Sequence, residues 1–300
     1  MDNDISNDQR QTEEAFGFKW KRRDTYESPA VQAEWRRWLF EKYFDGDEQR
    51  LARLLDEGGT RKKILDAGCG SGGSGYLLFG NHLRQHDYLG VDISEAAAIA
   101  RERFDERGIP GRFLQSDLNS IPEELGFFDI IFSEGVLHHT DSVASAIAAL
   151  AERLKPGGHF LFYVYVKKAP IREHTDDAIR KYLSNLNNEQ AWDALIPLTR
   201  LGKALGDLNV EIDVPEDIPF LGINKGRHNL QRFFYYKICK AYYRPDYTLN
   251  EMNHINFDWF RPFNCHRHTP DEVKGFCESA RLNVERMHVE ESGVTIIARK

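Results

Sequence analysis

A glycine-rich segment, ILDAGCGSGGSG at residues 64–75, contains the residue types that most directly indicate chemistry. Glycine is costly where a helix begins, because its backbone loses more freedom on folding than that of any other residue. So many glycines after a short apolar run predict a bend whose backbone something approaches closely. Gly68, Gly70 and Gly73 satisfy the GxGxxG spacing of a nucleotide-binding turn, and Asp92 follows about 20 residues later, as a ribose acceptor would.

The charge beside this bend bears on which nucleotide it would hold. Asp66 stands two residues before the first glycine of the motif. A pyrophosphate at this place would meet a carboxylate, which is electrostatically unfavourable, whereas a ligand with a cationic centre would be attracted. The sequence therefore favours a positively charged adenosine cofactor over NAD.

Strand and helix patterns alternate from about residue 60 to residue 166. This alternation predicts a parallel, doubly wound α/β sheet with its ligands beyond the carboxyl ends of the strands. Asp141 is expected to cap the helix after the fourth strand, and Pro156-Gly157-Gly158 to stop it. The predicted strands are Lys63–Ala67, Tyr88–Ile93, Arg112–Gln115, Phe128–Ser133 and His159–Val166.

The alternation stops after residue 166 and resumes near the end of the chain. Thr269 to Glu272 form a capping box that predicts a further helix. The segments NVERMHVE and GVTIIARK are expected to pair as an antiparallel hairpin at the sheet edge. The predicted divisions are an N-terminal arm (1–57), a nucleotide-binding core (58–166), a mainly helical insertion that covers the substrate (167–262) and a C-terminal helix and hairpin that complete the core (263–300).

Five segments in order, ILDAGCGSGGSG, YLGVDIS, LQSDLNSIP, FDIIFSEGVLHHT and LKPGGHFLFYV, give the chain a specific resemblance. The chain resembles a class I S-adenosylmethionine-dependent methyltransferase of the bacterial small-molecule group. The resemblance is good across residues 60–166 and holds in outline across residues 267–300. The resemblance implies a Rossmann-like methyltransferase fold with a mostly parallel seven-stranded sheet, and S-adenosyl-L-methionine as the cofactor.

The resemblance also implies a role for each matching residue. The methionine half of the cofactor would be lined by Asp66, Gly68 and Gly70, with Cys69 between the two glycines. Asp92 would accept the ribose hydroxyls, and Ile93 would lie against the adenine, whose edge would be held by Asp117 and Leu118. The sulfonium would lie beside Ser133 and Glu134.

Two histidines follow the fourth strand, where members of the resembled family bind their substrate. The unperturbed pKa of a histidine side chain is near neutral, so either His138 or His139 could take a proton from a hydroxyl or ammonium group of the substrate. His138 is slightly favoured as a general base. The alternative is that one histidine caps the next helix or packs beneath the loop.

Three other segments contribute candidate substrate contacts. The arm AFGFKWKRRDTY alternates aromatic and cationic residues, and Phe16, Lys19 and Trp20 are the expected lid residues, unless the arm only packs on the sheet. In NLQRFFYYKICKAYYRPDY, apolar residues from Leu230 to Tyr242 follow helical spacing, and Tyr235 lies off that stripe. The junction HINFDWFRPFNCHRHTP adds His254, Asp258, His266 and His268; because their spacing matches no standard ligand pattern, we expect contacts with substrate or a structural hinge and no metal.

Composition and charge bear on the possible partners of the protein and on its cellular location. The net charge of −7 argues against a nucleic-acid partner, and no apolar run is long enough to cross a membrane. The polar start MDNDISNDQRQTEE is not expected to act as a signal peptide, and the first dozen residues are expected to be disordered. Four cysteines without a CxxC pair indicate reduced thiols in a cytoplasmic protein.

The predicted activity is methyl transfer from S-adenosylmethionine to an oxygen or nitrogen of a small molecule. One alternative is a catalytically silent regulatory protein that binds the same cofactor. An NAD-dependent oxidoreductase is less favoured because of Asp66. A nucleic-acid methyltransferase is disfavoured because SEGVLHH lacks the Pro-Pro-aromatic signature of amino-base methylation.

Overall fold

The computed structural model describes residues 6–300, and these residues divide into two compact units. The first unit contains the chain up to Lys21, then Gln32–Val166 and Asn264–Lys300. The second unit contains Arg22–Val31 and Lys167–Phe263. The expected insertion therefore falls in the second unit, together with a short piece of the expected N-terminal arm.

A seven-stranded sheet organises the first unit. Its strands are β1 (Lys63–Ala67), β2 (Asp87–Asp92), β3 (Arg112–Gln115), β4 (Phe128–Glu134), β5 (Leu154–Tyr165), β8 (Asn283–Val289) and β9 (Gly293–Arg299). The strand order is β3-β2-β1-β4-β5-β9-β8, with β1 to β5 parallel and the last two strands antiparallel. The predicted fold class and the C-terminal hairpin at the sheet edge are both confirmed.

Helices pack on both faces of this sheet because neighbouring residues of a strand point to opposite sides. The helices that contribute to the first unit are α1 (Asn7–Trp20), α2 (Pro29–Phe44), α3 (Glu48–Asp56), α4 (Gly73–Phe79), α5 (Ala96–Glu106), α6 (Val143–Glu152) and α11 (Pro270–Ser279). On β1, Leu65 belongs to a core cluster with residues of α6 and α11, while Ile64 belongs to a second cluster with residues of α2 to α5.

Several predicted boundaries need correction. Helix α6 is capped by Ser142, whose side chain accepts a hydrogen bond from Ser145 N, and not by Asp141. It ends at Glu152, and β5 begins before the Pro-Gly-Gly segment that was expected to stop the helix. The expected disorder of the first dozen residues is also wrong from Asn7 onward, where α1 begins with Ser6 as its N-cap; residues 1–5 lie outside the described part of the chain. The capping box of α11 is confirmed.

The second unit is mainly helical. Its elements are α7 (Pro170–Leu183), α8 (Asn188–Leu208), β6 (Glu211–Val214), β7 (Gly226–Asn229), α9 (Leu230–Phe233) and α10 (Leu249–Phe260). The two strands are antiparallel and form a separate small sheet. No helix within residues 6–300 has both the length and the apolar character that a membrane crossing requires.

The helix predicted from the apolar stripe between Leu230 and Tyr242 is much shorter than expected. After one α-helical turn, Phe234–Ile238 form a π-helical turn, and Cys239 is extended. The Cys239 N–H donates to Phe234 O at 2.9 Å, one residue further back than in an α-helix. Its α-helical acceptor would be Tyr235 O, which instead accepts a hydrogen bond from the Arg172 guanidinium. A donor distant in sequence thus displaces the local bond and ends the helix.

Candidate active site

The carboxyl ends of β1, β2 and β4 bring the predicted acidic residues to one edge of the sheet. Asp66 pairs in register with Gly90 of β2 and with Phe132 of β4, so the residues that end these strands are neighbours. Asp92 ends β2, and Glu134 ends β4. Three of the predicted cofactor residues therefore share the edge where this class of sheet binds its ligands.

The glycine bend is tightly packed by side chains of the protein itself. Gly68 and Gly70 have φ angles of +83° and +50°, which residues with a side chain rarely adopt. A Cβ atom on Gly70 would lie 2.8 Å from the indole of Trp20, and one on Gly73 would lie 2.8 Å from the indole of Trp35. In this structure, the close approach that the sequence predicts is made by tryptophans of the N-terminal helices.

Asp92 fastens the glycine bend to the end of β2. Its Oδ2 accepts the Gly70 N–H at 2.8 Å, and its Oδ1 accepts both the N–H and the hydroxyl of Ser94, at 2.9 and 2.6 Å. The carboxylate is 8% exposed, and burial raises its pKa while these hydrogen bonds oppose the shift. Asp92 is thus held in place at the mouth of the bend.

Asp66 is buried and bonded to another strand. It is 1% exposed and accepts a hydrogen bond from the hydroxyl of Tyr88 on β2. Burial raises the pKa of Asp66 to about 7, with a smaller opposing effect from the Tyr88 hydrogen bond. Because Asp66 is largely protonated below that pH, its charge is a weaker barrier to a diphosphate than the sequence suggests.

Glu134 belongs to a buried cluster that was not predicted from the sequence. Its carboxylate forms an ion pair with Lys42 of α2 and accepts the Tyr43 hydroxyl at 2.8 Å. The Lys42 ammonium lies 3.3 Å from the ring centre of Trp38 and 4.0 Å from that of Tyr163. Burial lowers the pKa of Lys42 to about 8. The sequence signal was the charged pair Glu41-Lys42 inside the largely apolar run WLFEKYF.

The lid residues predicted in the arm lie on α1 and face the same edge. Besides the contact of Trp20 with Gly70, the Phe16 ring packs edge-on against His139 at 4.9 Å between centroids. Lys19 is 4% exposed, and its ammonium lies 3.8 Å from the ring centre of Trp20. Helix α1 therefore packs its aromatic face on the glycine bend and on the loop after β4.

The two candidate general bases are buried and joined to the C-terminal junction. The His138 ring stacks on Tyr165 at 3.6 Å between centroids, and its backbone O accepts the His266 N–H at 2.8 Å. His139 Nδ1 lies 2.5 Å from the backbone O of Asn264. The structure thus joins the loop after β4 with the junction that contains His266 and His268, although the two segments lie far apart in the sequence.

The other predicted residues have varied surroundings. The Ser133 hydroxyl donates to Ala67 O at 2.8 Å, and Asp117 accepts the Asn119 N–H at 2.6 Å. Cys69 is buried, which raises its pKa, while Ile93 and Leu118 are half-buried. His268 lies against Phe276, with 5.0 Å between ring centroids.

In the second unit, the predicted contacts are Tyr235, His254 and Asp258. His254 Nδ1 lies 2.7 Å from the Thr25 hydroxyl, which joins α10 to the Arg22–Val31 segment. Tyr235 lies in the π-helical turn, and Asp258 is half-buried on α10. Among residues 6–300, no group of three or more His, Cys, Asp or Glu side chains converges to hold a metal ion.

Comparison with known proteins identifies the part of the chain that carries this edge of the sheet. Residues 65–162 match the family model described as a methyltransferase domain. The chain contains a class I S-adenosylmethionine-dependent methyltransferase domain. The resemblance of this domain to class I S-adenosylmethionine-dependent methyltransferases is therefore confirmed, and S-adenosylmethionine is the cofactor that this family uses.

Curated relatives match this methyltransferase domain over limited lengths. An uncharacterized protein of Synechococcus sp. is 40% identical over 38% of this chain and 28% of its own length. A ubiquinone biosynthesis O-methyltransferase of Marinobacter nauticus is 34% identical over 36% of this chain and 46% of its own. A tRNA U34 carboxymethyltransferase of Azotobacter vinelandii is 33% identical over 45% of this chain and 40% of its own. This chain thus spans less than half of each relative.

Among solved structures, the magnesium protoporphyrin IX methyltransferase of Synechocystis PCC 6803, crystallised with bound SAM, has a similar fold. It aligns with a TM-score of 0.52 and 12% sequence identity, covering 99% of both chains. This similarity supports the Rossmann-like methyltransferase fold.

Proposed function

We propose that the methyltransferase domain binds S-adenosylmethionine at the carboxyl ends of β1 to β4 and transfers the methyl group to an oxygen or nitrogen of a small molecule. The arrangement of Asp92 is the main support, because a buried carboxylate is fixed against the backbone of the glycine bend. Each carboxylate oxygen has two lone pairs; Oδ1 already accepts two hydrogen bonds and Oδ2 accepts one, so Oδ2 can accept one ribose hydroxyl in addition to the present bonds. Gly68, Gly70 and Cys69 then line the methionine half, and Ile93, Asp117 and Leu118 the adenine.

When bound, S-adenosylmethionine supplies an electrophilic methyl group on a sulfonium. The work of the protein is then to align the acceptor atom and to exclude water. Ser133 and Glu134 occupy the strand end proposed to lie beside the sulfonium, and the ion pair with Lys42 keeps Glu134 in place. Phe16 and Trp20 of α1 cover the edge of the sheet and limit the access of water.

A general base is required where the acceptor arrives protonated. We propose His138 for this step, with His139 as the neighbouring candidate, since both follow β4, whose last residue is Glu134. Both rings are buried in the present arrangement, and the Phe16 ring covers His139. Phe16 would have to move away from His139 for a substrate to reach that ring.

The acidic net charge of −7 favours a small molecule over a polyanionic nucleic acid. Among the curated relatives, the ubiquinone biosynthesis O-methyltransferase agrees with this preference, while the tRNA U34 carboxymethyltransferase acts on RNA.

Calorimetric titration of S-adenosylmethionine into Asp92→Asn tests the cofactor site. The substitution keeps the size of the side chain but removes the charge and one acceptor oxygen, so we expect affinity to fall at least tenfold. Asp87→Asn is the matched control, because Asp87 begins the same strand and is exposed. Affinity equal to that of the control would remove the proposed site.

His138→Ala tests the base with the cofactor-dependent reaction, once an acceptor has been identified by screening hydroxyl- and amine-bearing metabolites. We expect the turnover number to fall by about 10²- to 10⁴-fold, the usual contribution of general base catalysis, with cofactor affinity unchanged. Unchanged turnover in His138→Ala would make its role structural and transfer the question to His139→Ala.

A further inference from the structure

The ion pair of Lys42 and Glu134 lies within the first unit, at the strand end proposed to lie beside the sulfonium. Glu134 is the last residue of β4; its side chain is 5% exposed, and that of Lys42 is fully buried. Charges in such a place act over a longer range than charges in water, because little solvent or salt screens them. A cationic ligand at this strand end would therefore respond to both members of the pair.

The Lys42 ammonium is kept in its charged form at neutral pH. Burial lowers its pKa to about 8, and the attraction of Glu134 and Glu290 opposes that shift. The ammonium also lies 3.3 Å from the ring centre of Trp38 and 4.0 Å from that of Tyr163, and aromatic rings attract a cation placed over their faces. At pH 7 most molecules therefore carry a positive charge next to the Glu134 carboxylate.

Hydrogen bonds hold the pair in one arrangement. The Tyr43 hydroxyl donates to one carboxylate oxygen of Glu134 at 2.8 Å, and the other oxygen pairs with Lys42. The backbone O of Lys42 accepts a hydrogen bond from Arg286 Nε at 3.2 Å, and the two remaining guanidinium nitrogens of Arg286 donate to Asp45 at 2.9 and 2.7 Å. The end of α2 is thus fixed to β8, so α2 presents Lys42 and Tyr43 to Glu134 in a defined geometry.

Methyl transfer changes the charge at the sulfur. As the bond from the acceptor atom to the methyl carbon forms, the bond from that carbon to sulfur breaks, and its electron pair stays on the sulfur as a neutral thioether. A protonated acceptor gives its proton to the base proposed above. A lone carboxylate beside the sulfur would stabilise the charged reactant more than the transition state, in which the charge is already reduced. A carboxylate paired with an ammonium has a smaller effect of this kind.

We propose that Lys42 is a positioning residue that acts through Glu134: its ammonium offsets the carboxylate beside the sulfonium and so limits the preference of the site for the charged cofactor over its neutral product. The Glu134 carboxylate attracts the sulfonium, and the Lys42 ammonium moderates this attraction. The inference rests on the proposed function, because it takes the sulfonium to lie at the end of β4.

Calorimetric titration at pH 7 with S-adenosylmethionine and with S-adenosylhomocysteine measures this preference. The two ligands differ by the methyl group and the positive charge, so the dissociation constant of S-adenosylhomocysteine divided by that of S-adenosylmethionine, called the binding ratio below, reports the charge near the sulfur. Lost packing would instead weaken both ligands. Lys42→Met leaves the carboxylate without its ammonium, and we expect the binding ratio to rise roughly three- to tenfold. Glu134→Gln removes the attracting charge and should lower the ratio.

Lys155→Met is the matched control, because Lys155 also pairs with a carboxylate of β4, that of Asp129. Asp129 lies near the first residue of β4, whereas Glu134 is the last, so this pair is at the opposite end of the strand. The binding ratio of Lys155→Met should equal that of wild type. The same ratio in Lys42→Met as in Lys155→Met would overturn the proposal.

Glu134→Gln keeps the proposal testable should Lys42→Met not fold. An unchanged binding ratio in Glu134→Gln would also overturn it, since the carboxylate would then have no effect on the sulfonium. Binding of neither ligand by wild type would overturn the proposed function together with this inference. Binding of both ligands by wild type and their weakening in Asp92→Asn, with a binding ratio that Lys42→Met leaves unchanged, would overturn this inference alone.

Discussion

The indole of Trp20 lies against the backbone of Gly70, so closely that the glycine has no space for a Cβ atom. Gly70 also donates its N–H to Asp92, and its φ of +50° is strained for other residues. The N-terminal helix, the glycine bend and the end of β2 therefore meet at a single residue. Three independent restraints act on that residue: ring contact, backbone conformation and a hydrogen bond to a buried carboxylate.

This relationship predicts an energetic coupling between Trp20 and Gly70. Gly70→Ala should destabilise the wild-type protein both by its left-handed backbone, at about 1–2 kcal/mol, and by collision with the indole. In a Trp20→Ala background only the backbone cost should remain. We expect a coupling of about 0.5–3 kcal/mol from urea unfolding of the four proteins in the double-mutant cycle. Additive effects would mean that the indole leaves Gly70 in solution.

Asp66 predicts a pH dependence of stability. Its folded pKa of about 7 lies above the unfolded value, so the folded state binds the proton more tightly. Its stabilising contribution is complete below the unfolded pKa, near 3.8, and declines as the pH rises towards 7. The unfolding free energy should change with pH by at most about 1.4 kcal/mol per pH unit because of this residue.

Asp66→Asn should remove this decline while an amide oxygen still accepts the Tyr88 hydroxyl. Unfolding free energies of both proteins between pH 4 and pH 8 measure the difference, which should shift in favour of the variant as pH rises. Parallel curves for the two proteins would show that Asp66 is ionised when folded.

The sheet could be predicted from the sequence because periodicity and chain order determine it. Apolar strand runs that end at glycines, and helices with caps such as Thr269, are local features, and the antiparallel hairpin follows from two strand patterns close in sequence. Motif order then predicted which strand ends would carry Asp66, Asp92 and Glu134.

What the sequence could not reveal are contacts between distant segments. Lys42 follows Glu41 in a largely apolar stretch of sequence, and only the fold brings it to Glu134, 92 residues away. The helix predicted through Tyr242 fails because Arg172, 63 residues from Tyr235, takes the carbonyl that the next helical turn requires. Side-chain competition of this kind leaves no periodic trace in the sequence.

The buried pair of Lys42 and Glu134 predicts a large loss of stability when only one partner is removed. Lys42→Met leaves the Glu134 carboxylate without its cation in a buried place, and we expect a loss of about 3–5 kcal/mol in unfolding free energy. Lys42→Met combined with Glu134→Gln removes both charges, and the amide can still accept the Tyr43 hydroxyl. The double variant should therefore recover most of the loss, as urea unfolding would measure. Recovery of none of it would assign the effect to lost packing of Lys42 on Trp38 and Tyr163.

Asn264 predicts how firmly the N-terminal helix is held. Its backbone N–H donates to the Thr12 hydroxyl at 3.2 Å, and its side-chain amide donates to Gln9 at 3.2 Å and to Asp141 at 2.8 Å. Asn264→Ala removes the two side-chain bonds, so α1 should open locally more often while the sheet keeps its stability. Hydrogen exchange followed by mass spectrometry should show faster exchange in peptides covering Asn7–Trp20 and unchanged exchange in β4 and β5. Exchange in α1 equal to that of wild type would mean that the aromatic contacts of Phe16 and Trp20 hold the helix without these hydrogen bonds.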